Sequence, residues 1–510
     1  MSPFSPHRYR MALLYALLLG ALMTLTFAPF NQWWLGFISL AGLTGLLHGA
    51  SVHQGAWRAG AFGLGLFAAG TSWIYVPLNT YGGIPLVAAL PLTLLFATGL
   101  ALFYLLFGAL YRLLLNCGQR APSVGTEILA FTGIWTLCEL FRGWVFTGFP
   151  WLLVGTAHLE SPLASYAPVG GVYLISALMA LSSAVLWHVV RGRHSWLFRL
   201  TLLAPIVLIW GLGALLPRQW ATPNDHSPRV ALVQGNLPQE MKWTAAGQSH
   251  AINTYMRLTQ EHGDADLIVW PETALPMFDT QALPILERTQ NMLSPRTALL
   301  SGLLTHDDTQ HFYNSVVGLP ARATPGPLQS YQKARLVPFG EYIPFSDVLG
   351  KALEILDLAN SAITPGSPTP RPLLLQDMHL GVAICYEIIF PDLVRQRARD
   401  ADVLITVTND TWFGHSIGPL QHMQIAQMRA LENNRYLMRA ASNGVTAIVD
   451  ANGRQVTALP RFTADVLIGT VQGMQGLTPY TRLGNWPILL LSGLACAYAL
   501  YRQKYGRQRP

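Results

Sequence analysis

The sequence predicts an α/β domain inserted between the seventh and eighth helices of an eight-span transmembrane helical domain. Three observations predict this architecture. Apolar runs of membrane-spanning length fill the first part of the chain and recur at its end; charged residues are scarce before residue 220; and β-branched runs alternate with helical patterns after it. The predicted domains are 1–216 with seven spans, 217–482 as the exported α/β domain, and 483–510 with the eighth span and a cytoplasmic tail.

The apolar runs approach the length of about 20 residues that a helix needs to cross a bilayer. The predicted spans are 11–29, 33–50, 59–76, 86–114, 124–141, 169–190, 198–215 and 484–501. The fourth is overlong and is expected to tilt or to kink at Pro91. The first could be read as a signal peptide, but it lacks a clean cleavage site and further spans follow at once.

Charge is distributed unevenly along the chain. Hydrophobic residues make up 51% of it and charged residues 12%, about half the usual charged share. Before position 220 the only acidic residues are Glu127, Glu139 and Glu160. The net charge of +7 would suit nucleic acid, but the basic residues cluster at the ends of apolar runs, as membrane topology requires. We therefore expect a membrane protein that binds no nucleic acid.

Basic residues in the short loops predict the orientation of the spans. If there are eight spans, these residues all fall on one side, which is then cytoplasmic. They are Arg8, Arg10, Arg58, Arg112, Arg120, Arg191, Arg193, Arg199, Arg502, Lys504, Arg507 and Arg509. Both termini are then cytoplasmic, and residues 217–482 are exported. In a bacterium this places the α/β domain in the periplasm or outside the cell.

The exported-side loops are apolar and aromatic, as in "FAPFNQWW", "SWIYVPLNTYGG" and "RGWVFTGFPWLLVG". An interfacial aromatic belt explains them, and so does a lipid-facing vestibule. Glu139 and Arg142 near the same face fit either a structural pair or a lipid headgroup contact. The sequence leaves these alternatives open.

The exported part reads as a layered α/β domain, because several strands are apolar over four or more residues, as in strands covered on both faces. Predicted strands are 229–236, 266–272, 297–304, 314–319, 381–387, 402–410, 446–453 and 465–471. Predicted helices are 248–262, 390–400 and 419–434.

Polar residues stand at several strand ends, where α/β folds usually place their chemistry. Glu272 follows "LIVW", Lys333 and Glu341 lie in "YQKARLVPFGEYIPF", and Cys385 and Glu387 lie in "GVAICYEIIFPD". Each alone is more often structural: such a carboxylate or ammonium is usually solvated, and a lone cysteine is usually a small buried hydrophobe. Together they supply a nucleophile, a base for its proton and a cation for negative charge on a substrate oxygen.

The four cysteines indicate neither a disulfide nor a metal site in the exported part. Cys117, Cys138 and Cys496 lie in or beside apolar segments, so no disulfide can form within the exported part. Cys-x-x-Cys and paired Cys/His spacings do not occur in the sequence. We therefore expect no cofactor and no metal.

The motifs "WPET", "YQKARLVPFGE" and "GVAICYE" resemble the Glu, Lys and Cys signatures of the nitrilase superfamily. With the multi-span part they resemble its membrane-bound branch, the bacterial apolipoprotein N-acyltransferases. The segments "VQGNLPQEMKW", "YNS", "VPFGEYIP" and "TNDTWFG" add to the resemblance, which covers essentially the whole chain. It implies a four-layer α-β-β-α sandwich for the exported domain.

The resemblance also implies residue roles. Glu272 corresponds to the general base, Lys333 to the oxyanion stabiliser and Cys385 to the nucleophile. A supporting set consists of Glu341, Tyr386, Glu387 and Trp243.

The implied reaction has two steps. Cys385 takes an acyl chain from a phospholipid, typically phosphatidylethanolamine, as a thioester. The α-amine of an S-diacylglyceryl cysteine at a lipoprotein N-terminus then accepts the chain. A monomer in the bacterial inner membrane, with its catalytic domain in the periplasm, would perform this reaction.

Two alternatives remain open. A membrane-tethered amidase would use water as the acceptor, although one anchor would then suffice. A non-catalytic scaffold or transporter would carry an inactive domain, against which stand the intact Glu272, Lys333 and Cys385 and the scarcity of ionisable residues in the spans. Loops around 340–365 or 411–420 are candidate lids.

Overall fold

The computed structural model describes residues 6–118, 121–191, 194–309, 311–343, 363–369 and 371–505. The chain divides into two compact units. The first comprises Met1–Arg218, His415–Gln424 and Leu483–Pro510, and the second comprises Gln219–Gly414 and Ile425–Arg482. The first unit therefore includes a ten-residue segment from within the predicted exported domain.

The first unit is helical, because its apolar runs satisfy their backbone hydrogen bonds internally, as a bilayer requires. Its helices before residue 218 are α1 (Pro6–Met23), α2 (Leu35–Leu47), α3 (Val52–Gly70), α4 (Leu86–Asn116), α5 (Val124–Arg142), α6 (Ala167–Arg191) and α7 (Trp196–Leu215). The helix that follows the second unit, numbered α13 in chain order, is Trp486–Tyr505. Pro91 lies inside α4, which continues through it.

Five helices in the described part of the chain are long and apolar enough to cross a membrane. They are His7–Thr26, Leu86–Asn116, Val124–Arg142, Pro162–Arg191 and Trp196–Leu215. Val52–Gly70 and Ser72–Tyr81 form a sixth span if this pair, bent by 53°, is counted as one. The helix in the predicted second span, Leu35–Leu47, is apolar but short. The count of eight stays a prediction.

Arg142 and Glu139 pin the loop that follows α5. The Arg142 guanidinium donates to the carbonyls of Phe149, at 2.5 Å, and Trp151, at 2.7 Å. Glu139 accepts a hydrogen bond from the Val154 amide at 3.0 Å. Both charged side chains are 1% exposed. These contacts favour a structural role for both residues over a lipid headgroup contact, with each side chain bound to the backbone of the loop.

The segment His415–Gln424 is held inside the first unit by two glutamines. Gln421 Oε1 accepts from the indoles of Trp73, at 3.2 Å, and Trp151, at 2.8 Å. Gln424 Oε1 accepts from the Ala28 amide at 3.0 Å. The aromatic residues of these loops therefore have an internal partner as well as any bilayer contact.

The second unit is built on two six-stranded sheets. The strands in chain order are β1 (Thr222–Pro223), β2 (Arg229–Gln234), β3 (Leu267–Val269), β4 (Ala298–His306), β5 (Phe312–Leu319), β6 (Gln329–Gln332), β7 (Leu373–Leu375), β8 (Met378–Ile384), β9 (Val403–Thr408), β10 (Leu437–Ala441), β11 (Ala447–Val449), β12 (Gln455–Ala458), β13 (Asp465–Thr470) and β14 (Met474–Gln475). Its helices are α8 (Ala245–Gln260), α9 (Asp279–Asn291), α10 (Pro391–Ala398), α11 (Gly418–Asn433, which begins in the first unit) and α12 (Pro479–Leu483, whose last residue is counted with the first unit).

Both sheets have the same internal plan. One runs β13-β2-β3-β4-β5-β6 and the other β12-β11-β10-β9-β8-β7. In each sheet three neighbouring strands are parallel and the outer pairings are antiparallel. Parallel strands bring their carboxyl ends to one edge, where the polar residues that follow β3, β8 and β9 are then placed.

The sheets pack face to face, and helices cover their outer faces. The inner core includes Val269, Leu300, Val382 and Ile405 from both sheets. A second core, with Tyr255 and Trp270, lies between the first sheet and α8 and α9. On the other side, α10 contacts β8 and β9. The predicted four-layer α-β-β-α sandwich is confirmed.

The predicted strands occur with shifted ends, and two of these shifts affect the site. The strand expected at 381–387 ends at Ile384, and Cys385–Ile389 forms a 3-10 turn instead. The expected strand 266–272 ends at Val269, which leaves Glu272 in the following loop. Helices α9 and α12 and the short strands β1, β6, β7, β10, β12 and β14 were missed. The candidate lid at 340–365 lies largely outside the described residues.

Candidate active site

Cys385 follows directly after β8, at the start of the 3-10 turn. Its φ is +50°, in the left-handed region that residues with a side chain rarely adopt. Such strain persists only where the surroundings enforce it, and it is commonly found at functional sites. The chain turns sharply here, and Cys385 is half-buried at the end of the sheet.

Glu272 lies in the loop after β3 and is 5% exposed. Its Oε1 accepts hydrogen bonds from Asn314 Nδ2 at 2.8 Å and Lys333 Nζ at 3.2 Å. Its Oε2 accepts from the backbone amide of Asn409 at 2.8 Å. Donors from three separate segments therefore hold the carboxylate in one orientation.

Lys333 connects Glu272 to a second carboxylate. Its ammonium, 1% exposed, lies 2.9 Å from Glu341 Oε1. Asn314 Nδ2 also donates to Glu341 Oε1 at 2.8 Å, and the Val337 amide donates to Glu341 Oε2 at 2.8 Å. The structure thus joins three of the sequence-predicted site residues, Glu272, Lys333 and Glu341, in one hydrogen-bonded cluster, with Asn314 bonded to both carboxylates.

The cluster acts electrostatically on Cys385. Burial raises the pKa of the Cys385 thiol, and the Glu272 charge raises it further, while Lys333 lowers it. Burial alone would raise the pKa of Glu272, but the Lys333 ammonium, the Asn314 hydrogen bond and the charge of Lys242 together lower it below its ordinary value. Burial would lower the pKa of Lys333, but Glu272 and Glu341 raise it well above its ordinary value. At neutral pH the site therefore holds a protonated thiol, an ionised carboxylate and an ammonium.

Glu387 is fully buried and binds the backbone on both sides of the site. Oε2 accepts from the Ile384 amide at 2.7 Å, and Oε1 accepts from the amides of Ala334 at 2.7 Å and Arg335 at 3.1 Å. The Tyr331 hydroxyl donates to the same carboxylate at 2.7 Å. Glu387 therefore fixes the residue before Cys385 to the residues after Lys333.

Tyr386 and Trp243 occupy different surroundings. The Tyr386 ring packs edge-on against Phe390, with 5.2 Å between ring centroids, and burial raises the pKa of its hydroxyl. Trp243 is 56% exposed, at the end of the loop that contains Gln239–Met241. The structure places Trp243 on the surface rather than in the hydrogen-bonded cluster.

Sequence reasoning missed three residues of the site. Asn314 bridges Glu272 and Glu341, and Asn409 holds Glu272 through its amide. Lys242 is 7% exposed, and its charge acts on Glu272 and Cys385. The signals were present in "YNS", "TND" and "MKW", but neutral amides and a lysine beside tryptophan carry no chemical signature of their own.

Within the described ranges, no cluster of three or more His, Cys, Asp or Glu side chains has a geometry suited to a metal ion. The cluster instead has the parts of a covalent acyl-transfer site: a thiol, an ionised base and a fixed cation. Nothing in this donor set, with its single thiol and its carboxylates already bound by Lys333 and Asn314, calls for a metal.

Two family models match the chain. The carbon-nitrogen hydrolase family matches residues 229–480, and the apolipoprotein N-acyltransferase N-terminal domain matches residues 19–185. The boundaries of the two matches follow the change from the helical part to the sheets.

Curated relatives match over nearly the whole length. The apolipoprotein N-acyltransferases of Pseudomonas putida and Azotobacter vinelandii are each 41% identical to the chain; the matches cover 96% and 98% of it, respectively, and 96% of each relative. Among solved structures, a carbon-nitrogen hydrolase from Helicobacter pylori is 15% identical, covering 52% of this chain and 94% of its own, with a TM-score of 0.36.

Proposed function

The chain belongs to the apolipoprotein N-acyltransferase family, and from this premise we propose how it transfers an acyl chain to lipoproteins. The donor is a phospholipid, with phosphatidylethanolamine the expected one. The acceptor is the α-amine of an S-diacylglyceryl cysteine at the lipoprotein N-terminus. The chain is carried between them as a thioester on Cys385, so the two substrates react one after the other.

In the first step Cys385 attacks the acyl ester of the phospholipid. Glu272 takes the thiol proton, because its carboxylate is ionised while the thiol is neutral. Lys333 stabilises the negative charge that develops on the ester oxygen. Collapse of the tetrahedral intermediate returns the proton to the leaving glycerol oxygen and releases a lysophospholipid.

In the second step the lipoprotein amine attacks the thioester carbonyl. Glu272 accepts one proton from the attacking nitrogen and passes it to the departing sulfur. The products are an amide and a free Cys385 thiol. Glu341, Asn314 and Glu387 hold the reacting groups in place throughout, because each binds a residue of the cluster or its backbone.

One observation carries this proposal: the hydrogen-bonded series Glu272–Lys333–Glu341 acts on a strained cysteine at a strand end. A structural cysteine needs neither the strain nor the charges. A buried charge cluster is itself costly, so its presence beside a thiol is better explained by chemistry than by stability.

The membrane location follows from the substrates. Phospholipids and diacylated lipoproteins are both anchored in a bilayer, and the apolar helices of the first unit suit a membrane protein. We assign the chain to the bacterial inner membrane, as a monomer with residues 217–482 in the periplasm. A reporter that functions only in the cytoplasm can be fused near residue 400. Activity of this fusion would contradict the orientation.

Two other functions remain to be separated from the proposal. A membrane-tethered amidase would hydrolyse the thioester with water and need no lipoprotein. A non-catalytic scaffold would form no thioester. Membership of the family and the arrangement around Cys385 support the acyltransferase over both.

The deciding experiment gives purified enzyme a labelled phosphatidylethanolamine without an acceptor. We expect one equivalent of lysophospholipid and label on Cys385, followed by a stall. A diacylated lipopeptide with a free amine should restart turnover, whereas its N-acetylated form should not, because that nitrogen is not nucleophilic. Cys385→Ser is the control and should give neither burst nor label. Steady turnover without any amine would identify a hydrolase instead.

A further inference from the structure

The acceptor half-reaction has a proton that the site described so far does not accommodate. When Cys385 attacks an ester, the thiol proton ends on the leaving oxygen, so Glu272 is regenerated. An α-amine in water near neutral pH is largely protonated, because its pKa is about 8. It must lose a proton before it can attack, and a second after the carbon–nitrogen bond forms. Glu272 delivers only the second proton, to sulfur.

Lys242 is a buried lysine close enough to Glu272 and Cys385 for their charges to act on it. It follows the 3-10 turn Gln239–Met241 and is 7% exposed, which is unusual for a lysine. A hydrogen-bond relay ties this turn to the proposed base. Gln239 Oε1 accepts from Asn409 Nδ2 at 3.0 Å, and the Asn409 amide donates to Glu272 at 2.8 Å.

The surroundings of Lys242 differ from those of Lys333. Lys333 donates to two carboxylates and is thereby fixed as an ammonium. The Lys242 amine has no hydrogen-bond partner among the described residues. The charged groups that act on it are Glu272, after β3, and Cys385, after β8. Glu240, on its own turn, is exposed.

We propose that Lys242 is the proton acceptor for the lipoprotein amine in the second half-reaction. The inference rests on the proposed function and adds a second base to it. The unprotonated fraction of Lys242 takes one proton from the incoming α-ammonium. The resulting amine attacks the thioester, a carbon–nitrogen bond forms and the carbon–sulfur bond breaks. Glu272 moves the remaining proton to sulfur, and Lys242 releases its own to water.

The charge environment suits this role. Burial lowers the pKa of Lys242 to about 8, against the raising effects of Glu272 and Cys385. This value is close to that of a free α-amino group, so proton exchange between the two is nearly balanced. A thioester at Cys385 is uncharged, as the protonated thiol is, so Glu272 is the anion that acts on Lys242.

The test separates the two half-reactions. Wild type, Lys242→Arg and Lys242→Met are loaded with phosphatidylethanolamine, and the acyl-enzyme is then mixed with a diacylated lipopeptide at pH 7. Arginine keeps the positive charge but does not lose its proton near neutral pH. Methionine removes both the charge and the nitrogen that could accept a proton. Lys504→Met, at an exposed lysine of the first unit, is the matched control.

We expect Lys242→Arg to slow aminolysis much more than it slows formation of the thioester. Its aminolysis by the lipopeptide should be at least about tenfold slower, since a general base typically contributes 10²–10⁴-fold. The deficit should shrink as the pH is raised, because the free amine then forms in water. Hydroxylamine, whose nitrogen is already unprotonated at pH 7, should cleave the thioester equally fast in all variants.

Each remaining outcome is decisive. Wild-type aminolysis rates in both Lys242 variants overturn the inference. An equal slowing with hydroxylamine assigns Lys242 to charge stabilisation instead and overturns it too. Loss of thioester formation in both variants would place Lys242 in the reaction with the phospholipid donor. This result would also overturn the inference. Failure of the wild type to form a thioester would instead contradict the proposed function.

Discussion

Glu272 and Glu387 are two buried carboxylates beside the same cysteine, and they are held in different ways. The side chains of Asn314 and Lys333 donate to Glu272, together with one backbone amide. Glu387 accepts from three backbone amides and from the Tyr331 hydroxyl. Cations and amide side chains keep the first carboxylate ionised, while the backbone donors of the second fix the course of the chain.

The difference teaches that nearness in sequence to Cys385 is a poor guide to which carboxylate serves as the base that we propose. Glu387 is two residues from Cys385, yet its hydrogen bonds go to three backbone amides and the Tyr331 hydroxyl and hold the chain in position. Glu272 is more than a hundred residues away in sequence and acts on the thiol electrostatically. For these two buried acids the partners differ: backbone amides indicate a structural part for Glu387, and the charged and amide side chains on Glu272 indicate a carboxylate kept ionised.

Among changes to the groups that bind Glu272, removal of the Lys333 ammonium should have the largest effect on thioester formation. Lys333→Met leaves Glu272 and Glu341 buried together without the ammonium that both bind. We expect thioester formation to fall by about 10²–10³-fold, because a donor to the developing oxyanion is lost. Breaking a buried ion pair should also cost about 3 kcal/mol of stability. Burst kinetics and urea unfolding in detergent measure the two effects, and a wild-type burst rate would contradict the role of Lys333.

For Glu387, the carboxylate that fixes the course of the chain, the largest expected effect is the loss of stability in Glu387→Gln. Glutamine keeps one acceptor oxygen and replaces the other with a donor, so at least one buried amide among those of Ile384, Ala334 and Arg335 loses its acceptor. Each such loss costs about 1–3 kcal/mol. We expect unfolding at lower urea, with a change of about 2 kcal/mol. The matched variant Glu240→Gln, at an exposed acid of the same unit, should change stability little.

The smallest expected effect is a pair of opposite pH dependences. Because its folded pKa is lowered, Glu272 contributes stability that is present above the unfolded value, about 4.3, and is lost as the pH falls. Burial raises the pKa of Glu387, against the hydrogen bonds from Ile384 and Tyr331, so its contribution falls as the pH rises above that value. Destabilisation by Glu272→Gln should therefore be greater at pH 7 than at pH 4, and that by Glu387→Gln greater at pH 4. Melting curves at both pH values check the signs.

Much of the fold was predictable because both central sheets consist of apolar β-branched strands that end at polar residues. The elements that were missed lack this pattern. Helix α9 has Pro284 inside it, which breaks the helical signal. Strand β10 carries Arg439, a residue that reads as exposed in sequence but is buried against Asp410, 2.7 Å away.

The site was predictable to the extent that single residues have distinctive chemistry. Glu272, Lys333 and Cys385 could be selected as a carboxylate, an ammonium and a thiol at strand ends. The left-handed conformation of Cys385 could not be predicted from the sequence, because it arises from the turn that follows β8. The burial of Lys242 could not be predicted either, since it depends on how the turn at Gln239–Met241 packs rather than on local sequence.

The most direct test compares the thioester-forming step in Glu272→Gln and Glu387→Gln. Both variants are mixed with labelled phosphatidylethanolamine, and acyl-Cys385 is followed by mass spectrometry as a rate constant and an amplitude. The account predicts that Glu272→Gln keeps its amplitude but loses about 100-fold or more in rate, because the base is gone. Glu387→Gln should lose amplitude, as fewer molecules fold, while the rate constant stays within about tenfold of wild type. A slower rate constant in Glu387→Gln than in Glu272→Gln would contradict the division of roles between the two carboxylates.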